Sequence, residues 1–239
     1  MRAVVLAAGK STRIAAVAGG LPKPLLPVAG EAILARNLRW LASQGIGQVW
    51  INLHYQAEKI RQAIGGELAG VRITYVEEPT ILGTAGAVGN IAGRWHDRVL
   101  VVYGDNLVAL DLAAMHQEHR RRQAAVSVAV FDRNRHRHTG IAGGRVTIDS
   151  DSRIIQFVEG ADDQLSSLVN AGVYLIEPAV VAQIPPDQFC DFAKDIFPKL
   201  LAQQLPLYAH LIDGYCLGID TPESYRRAVA LVESGACAT

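Results

Sequence analysis

Two rhythms of apolar and polar positions alternate through the first half of the chain. Short apolar or alternating runs fall at residues 3–8, 48–53 (QVWINL), 71–76 and 98–103 (RVLVVY). Runs of this length and composition predict strands of a sheet that is mostly buried and parallel. Between them the period lengthens to that of a helix. Over residues 31–44, Ile33, Leu34, Leu38 and Leu41 share one face, and Gly45 suits the stop. Residues 57–64, closed by Gly65 and Gly66, and the small-residue stretch 84–92 read as further helices. This alternation predicts an α/β fold with helices on both faces of the sheet and ligands at the carboxyl ends of its strands. Gly9 and Asp105 both stand at such ends.

The second half changes character. Strands are predicted at 124–131, 145–148, 154–158 and 169–176 with few helices between them, which implies a mixed or antiparallel extension. Helices return at 191–204 and 222–234. Thr221 is the expected N-cap of the last, with Pro222 at its first position. With 239 residues and no linker or repeat, the chain reads as one domain with halves 1–122 and 123–239.

Composition narrows the function classes. Lys plus Arg equals Asp plus Glu at 23 each, so no global positive field is available to hold nucleic acid. No apolar run is long enough for a membrane span, and the chain opens directly on a strand instead of a signal peptide. Cys190, Cys216 and Cys237 lack CxxC or zinc spacing and read as reduced thiols, so a cytoplasmic location is expected. The oligomeric state stays open, a homo-oligomer included. His54 is expected to make a local backbone contact, and His116 and His119 to face water on a polar helix. The tryptophans are assigned to packing.

The chemistry concentrates in the opening residues, MRAVVLAAGKSTRIAAVAGGLPKPLLP. A buried strand breaks at Gly9 into a loop holding Lys10, Ser11, Thr12 and Arg13. Lys23 follows, clamped between Pro22 and Pro24. Backbone N–H groups and cations converging at a strand end form a phosphate-handling design. A Walker A loop would need glycine at position 4, which is Val4. A dinucleotide fingerprint fails after Gly9 as well. A plain strand-to-helix turn is the competing reading. Three more segments stand out: 78–87 (EPTILGTAGA), 101–106 (VVYGDN) and 217–225 (LGIDTPESY). Small residues in the first would admit a flat base, or alternatively close helix–sheet packing. Asp105 at a buried strand's tip calls for a counter-charge, unless Gly104-Asp105 is only a turn.

The order L-A-A-G-K-S-T-R, L-P-K-P-L-L-P, L-G-T-A-G-A, G-D-N, N-A-G-V-Y and I-D-T-P resembles the sugar-1-phosphate nucleotidylyltransferases, over nearly the whole chain. Within them it is most like the short D-glycero-alpha-D-manno-heptose 1-phosphate and the mannose-1-phosphate guanylyltransferases. The resemblance implies a Rossmann-like three-layer fold with a mixed, mostly parallel central sheet. It implies a nucleotide-binding half and a smaller β-rich acceptor half. It implies transfer of a nucleoside monophosphate, GTP favoured as donor, to a sugar 1-phosphate, with pyrophosphate released. Manno-heptose 1-phosphate is the favoured acceptor and mannose 1-phosphate the next, with surface polysaccharide biosynthesis as the setting.

By the same resemblance Arg13 and Lys23 are catalytic. Leu6, Ala7, Ala8, Gly9, Lys10, Ser11, Thr12, Gly83, Thr84 and Asp105 bind the nucleotide. Asn106, Gly140, Glu159, Asn170 and Lys194 bind the sugar phosphate, and Asp105 and Asp220 hold Mg²⁺. Asp213 is the alternative second ligand, and capping of the last helix is the competing role for Asp220. Two positions depart from the family pattern. Ser11 replaces a glycine, and Gly160 stands where a phosphate-binding lysine usually follows Glu159. Lys194 or the basic loop 133–138 is then expected to meet the sugar's phosphate. An N-acetylmuramate or other hexose 1-phosphate uridylyltransferase is the neighbouring expectation. A catalytically weak nucleotide-sugar-binding regulatory subunit is the expectation from another class. A nicotinamide-dependent dehydrogenase lacks its glycine fingerprint.

Overall fold

A computed structural model describes residues 1–93, 95–141, 143–160 and 165–237. In chain order the strands are β1 (Arg2–Leu6), β2 (Pro27–Val28), β3 (Glu31–Ala32), β4 (Gln48–Leu53), β5 (Glu67–Leu68), β6 (Val71–Glu77), β7 (Val99–Tyr103) and β8 (Asn106–Val108). They continue as β9 (Val126–Asp132), β10 (Arg137–His138), β11 (Arg145–Ile148), β12 (Ile154–Val158), β13 (Leu168–Ile176), β14 (Leu207–Leu211) and β15 (Tyr215–Gly218). The helices are α1 (Ile33–Ser43), α2 (Ala57–Ile64), α3 (Gly83–Ala92), α4 (Leu112–Arg121), α5 (Pro178–Val181), α6 (Phe197–Ala202) and α7 (Pro222–Glu233).

The main sheet runs β12-β11-β13-β7-β1-β4-β6-β5, with β9 and β14 joined through β13. β7, β1, β4 and β6 are parallel, and β13 enters antiparallel to β7. The predicted α/β class is present, and so is the mixed second half, in which β11, β12, β13 and β9 pair antiparallel while β14 runs parallel to β9. The parallel strands are buried on both faces, because helices cover each side. Leu34, Leu38 and Leu41 of α1 and Ile60 of α2 pack with Val5 and Ile51 on one face. On the other, Ala85 and Val88 of α3 and Phe192, Phe197 and Leu200 pack with Val4, Val101 and Tyr174. A third cluster joins Ile14 and Leu26 to Leu217, Ile219 and Ala228. Each fully buried aliphatic side chain contributes about 1.5–3 kcal/mol, and here that burial fastens the chain's last strand and helix against its opening loop.

Four features depart from the sequence reading, two for local reasons and two through distant partners. α1 begins at Ile33, because Glu31 and Ala32 pair with Pro27 and Val28 in a small hairpin. The helix expected at 191–204 opens as a π turn over Phe192–Ile196, before α6. Pro198 lacks the N–H needed to continue an α ladder through this point. The third correction concerns His119. It does not face water; it is buried, with Nδ1 2.8 Å from Ser127 Oγ and Nε2 2.9 Å from Glu177 Oε1. His54 does contact backbone, but not locally: its Nδ1 lies 2.8 Å from the carbonyl of Glu78. No described helix is long and apolar enough to cross a membrane.

Candidate active site

β1 and β7 end side by side, and their adjoining loops build the site. At the end of β7 the Gly104 N–H donates to the Leu6 carbonyl at 2.9 Å. A Cβ at position 104 would stand 2.8 Å from that oxygen, so glycine is required by close approach. The turn exposes Asp105 beside the opening loop. In that loop Ser11 adopts φ 57°, the left-handed conformation that glycine would take more cheaply. Its hydroxyl compensates, accepting the Lys23 N–H at 2.9 Å. Lys23 follows Pro22 in a short turn with Pro24 and Leu25, so its backbone is doubly fixed.

The Lys23 Nζ donates to Asp105 Oδ2 and to Asp220 Oδ1, each at 2.6 Å. Arg13 Nη2 lies 3.2 Å from the same Asp220 oxygen. Residues separated by up to 207 positions thus meet in one ion cluster. Burial pushes the Lys23 pKa down, but the charges and hydrogen bonds of Asp105 and Asp220 outweigh it and raise the value above 10.5. The ammonium is therefore retained at neutral pH. Asp220 does not cap α7. Thr221 does, through a reciprocal capping box with Ser224. Asp213 is occupied elsewhere, accepting the Asp111 N–H at 2.9 Å.

Two cavities open on this cluster. One, about 220 Å³, is lined by Leu6, Ala8, Gly9, Ile81 and Gly83 among others. The second, about 250 Å³, reaches Arg13, Asn106, Glu159, Asn170, Lys194 and Asp220. Thr84, Tyr103, Asp105 and Asp191 line both, so the cavities adjoin at Asp105. A larger hollow of about 440 Å³ beside α1 and β8 shares none of these residues.

Most of the expected site residues gather here. Ala7 lies beneath the first cavity, its N–H held by Asn52 Oδ1 at 2.8 Å. Lys10, Thr12 and Gly140 line neither cavity. In the basic loop, His136 is folded onto Asp132, and Arg137 donates to the Ala236 carbonyl at 2.6 Å. Of the two candidates for the missing lysine, only Lys194 lines the second cavity.

Gly83 and Gly86 admit a close backbone approach. A Cβ on Gly83, at φ +75°, would meet the Cys190 carbonyl at 2.5 Å, and one on Gly86 would meet the Gln188 carbonyl at 2.5 Å. The Cys190 carbonyl accepts from Ala85 N and Gly86 N at 2.9 and 3.0 Å. The start of α3 is thereby capped by the 188–190 loop. Thr84 Oγ1 donates to Asp191 Oδ2 at 2.9 Å and accepts the Phe192 N–H at 2.9 Å.

On the second cavity's wall, β13 bulges where Ala171-Gly172-Val173 interrupts its pairing with β9, between Asn170 and Tyr174. Gly172, at φ +77°, lets Tyr103 and Asn106 approach. Asn170 spans the bulge, accepting from Gly172 N at 2.9 Å and donating to Tyr174 Oη at 2.7 Å. Glu159 lies over Gly144. Its pKa is raised by burial and then by Asp191, with Lys194 opposing.

Several contributors escaped sequence reading. Buried Glu78 accepts from Asn52 Nδ2 at 2.8 Å and from Leu82 N at 3.1 Å. This satisfied carboxylate ties β1, β4 and the segment before α3 together. Asp191 accepts from Ala193 N and Lys194 N on one oxygen and from Thr84 on the other. The ties from Glu78 to Asn52 and from Asp191 to Thr84 leave no spacing signal, because those partners are distant in sequence.

The family model described as nucleotidyl transferase matches residues 2–235. Mannose-1-phosphate guanylyltransferase of Mycobacterium tuberculosis is 33% identical over 231 residues, covering 95% of this chain and 63% of that protein. UTP–glucose-1-phosphate uridylyltransferase of Synechocystis is 31% identical over 244 residues, covering 96% and 62%. The chain therefore spans about three fifths of the length of these two relatives. D-glycero-alpha-D-manno-heptose 1-phosphate guanylyltransferase of Aneurinibacillus thermoaerophilus is 29% identical over 229 residues, covering 95% and 96%. Among solved structures, HddC from Yersinia pseudotuberculosis superposes with a TM-score of 0.80 at 25% identity, covering 96% of this chain and 98% of that one.

Proposed function

The chain belongs to the nucleotidyl transferase family, and from that premise we propose that it joins a nucleoside triphosphate to a sugar 1-phosphate. An oxygen of the sugar phosphate attacks the α-phosphorus. The bond from the α-phosphorus to the bridging oxygen breaks, and pyrophosphate leaves with the electron pair. Such chemistry needs alignment and charge neutralisation more than covalent help. The observation that carries this reading is the meeting of two cavities at Asp105, beside Lys23, Arg13 and Asp220.

The first cavity would take the nucleotide, against Leu6, Ala8, Gly9 and Gly83. The second would take the sugar, with Asn106, Glu159 and Asn170 toward its hydroxyls and Lys194 toward its phosphate. Lys23 would stabilise charge at the α-phosphate, and Arg13 would hold the departing phosphates. The donor set fits Mg²⁺: two aspartate oxygens converge on one point, and a hard cation prefers one or two carboxylates completed by phosphate and water. Asp105 and Asp220 would hold it, and when bound it would neutralise phosphate charge. Among the described residues, no group of three or more His, Cys, Asp or Glu side chains offers another metal site.

GTP is the favoured donor and a manno-heptose or mannose 1-phosphate the favoured acceptor. The heptose 1-phosphate guanylyltransferase match over 96% of that relative supports this choice. A uridylyltransferase is the second reading, favoured by the Synechocystis relative. The intact cluster of Arg13, Lys23, Asp105 and Asp220 favours an enzyme over a binding-only subunit. The test is a panel of four nucleoside triphosphates against mannose, manno-heptose, glucose and N-acetylmuramic acid 1-phosphates with Mg²⁺, scored for nucleotide sugar and pyrophosphate. Lys23→Ala and Arg13→Ala are each expected to slow the productive pair by about 100-fold or more. Near-wild-type turnover in either variant would remove it from the mechanism.

A further inference from the structure

We propose that Lys23 is the resident cation of the two-aspartate site in the nucleotide-free protein, and that a divalent cation can take those carboxylates only when the triphosphate draws Lys23 away. The inference rests on the reading of Asp105 and Asp220 as the metal ligands. Its physical basis is crowding by charge. One ammonium nitrogen stands 2.6 Å from an oxygen of each aspartate, so the two oxygens lie within twice that distance of each other. That is the point a divalent ion bridging both would occupy. Mg²⁺ binds oxygen at about 2.0–2.1 Å and demands near-octahedral order. It cannot sit between these two oxygens while the ammonium nitrogen fills that point, and a second positive charge beside it would be repelled.

Lys23 is built to hold this place. Its side chain is only 12% exposed, its N–H is pinned to Ser11, and Pro22 and Pro24 flank it. Arg13 is a weaker rival. Its side chain is 67% exposed, and it touches one aspartate at 3.2 Å. Held this way, Lys23 draws two carboxylates from opposite ends of the chain into register before any substrate arrives. Two bare carboxylates at that separation would repel each other. An incoming triphosphate offers Lys23 a richer set of oxygens, and the vacated carboxylates then accept the metal. Nucleotide and metal are thereby loaded together, and the free protein is kept from filling with metal alone.

The test measures Mn²⁺ binding without nucleotide, by the loss of the free-ion electron paramagnetic resonance signal. Circular dichroism checks each fold. Wild type is expected to bind weakly. Lys23→Met, close in length and uncharged, is expected to bind about tenfold tighter or more, since an opposing buried charge has gone. Arg13→Met is expected to gain less, and Asp105→Asn added to Lys23→Met to lose the gain. A Lys23→Met protein that binds Mn²⁺ no tighter than wild type overturns the proposal. So does wild type alone holding Mn²⁺ with a micromolar Kd, a result that requires no variant to fold. If Lys23→Met gains nothing while Asp105→Asn stops transfer, the inference falls and the reading of the metal ligands stands. If Asp105→Asn transfers at the wild-type rate, that reading falls with it.

Discussion

Gly83→Ala separates two roles for the small residues at the start of α3. Gly83 sits at φ +75° with the Cys190 carbonyl 2.5 Å from the position of an added Cβ. The left-handed conformation costs an alanine about 1–2 kcal/mol, offset by about 0.4–1 kcal/mol from its stiffer unfolded chain. Moving the 188–190 loop aside also endangers three hydrogen bonds: Ala85 N and Gly86 N to the Cys190 carbonyl, and Cys190 N to the Leu82 carbonyl. At about 1 kcal/mol net for each bond, the total loss is roughly 3–5 kcal/mol. For a domain of this size each kcal/mol lowers Tm by about 2–4 °C, so a fall of roughly 6–20 °C is expected. Asp191 follows Cys190 and borders both cavities, so KM for both substrates is expected to rise. Differential scanning fluorimetry and steady-state pyrophosphate release measure the two effects. If Gly83→Ala kept the wild-type Tm and raised KM for the nucleotide alone, the glycine would serve the base and the packing argument would be wrong. Gly86→Ala, in helical conformation but with its Cβ 2.5 Å from the Gln188 carbonyl, isolates the contact from the backbone strain.

Ser11→Ala keeps the left-handed backbone and loses the hydroxyl that accepts from Lys23 N. A loss of about 1 kcal/mol by urea denaturation is expected, with Ser11→Gly nearer neutral because it relieves strain. Asp191→Ala removes the partner of Thr84, Ala193 N and Lys194 N; both KM values should rise and stability fall by about 1–2 kcal/mol, while Asp191→Asn recovers part of each. His119 has its pKa lowered, chiefly by burial, with its Glu177 hydrogen bond opposing and Arg98 adding to the shift. The unfolded chain then takes up the proton more readily than the native one. Stability is full above about pH 6.5 and falls as pH drops toward the lowered native value. Urea midpoints at several pH values should show this slope, and His119→Gln should flatten it in part, since His116, His138 and His210 are lowered as well.

Local pattern determined a great deal. Residues 48–53, 57–64, 145–148 and 154–158 form their elements with the predicted boundaries, and Thr221 caps the last helix as expected. These features depend on neighbours a few positions apart, and periodicity and capping chemistry record such neighbours directly. The resemblance of the opening loop and the Gly-Asp and Asp-Thr-Pro segments also named the four side chains that form the ion cluster. Only the tertiary structure places Asp220 and not Asp213 in the ion cluster, Lys194 on the wall of the second cavity, and the Cys190 carbonyl against Gly83. It alone revealed the Asn52–Glu78 tie and the placement of Lys23 between two aspartates. Each of these depends on which distant segments are brought into contact. Burial of Ile14 and Leu26 against Leu217, Ile219 and Ala228 makes one such contact, pressing the chain's last strand and helix onto its first loop. That packing is an outcome of the whole core, and no stretch of sequence carries it alone.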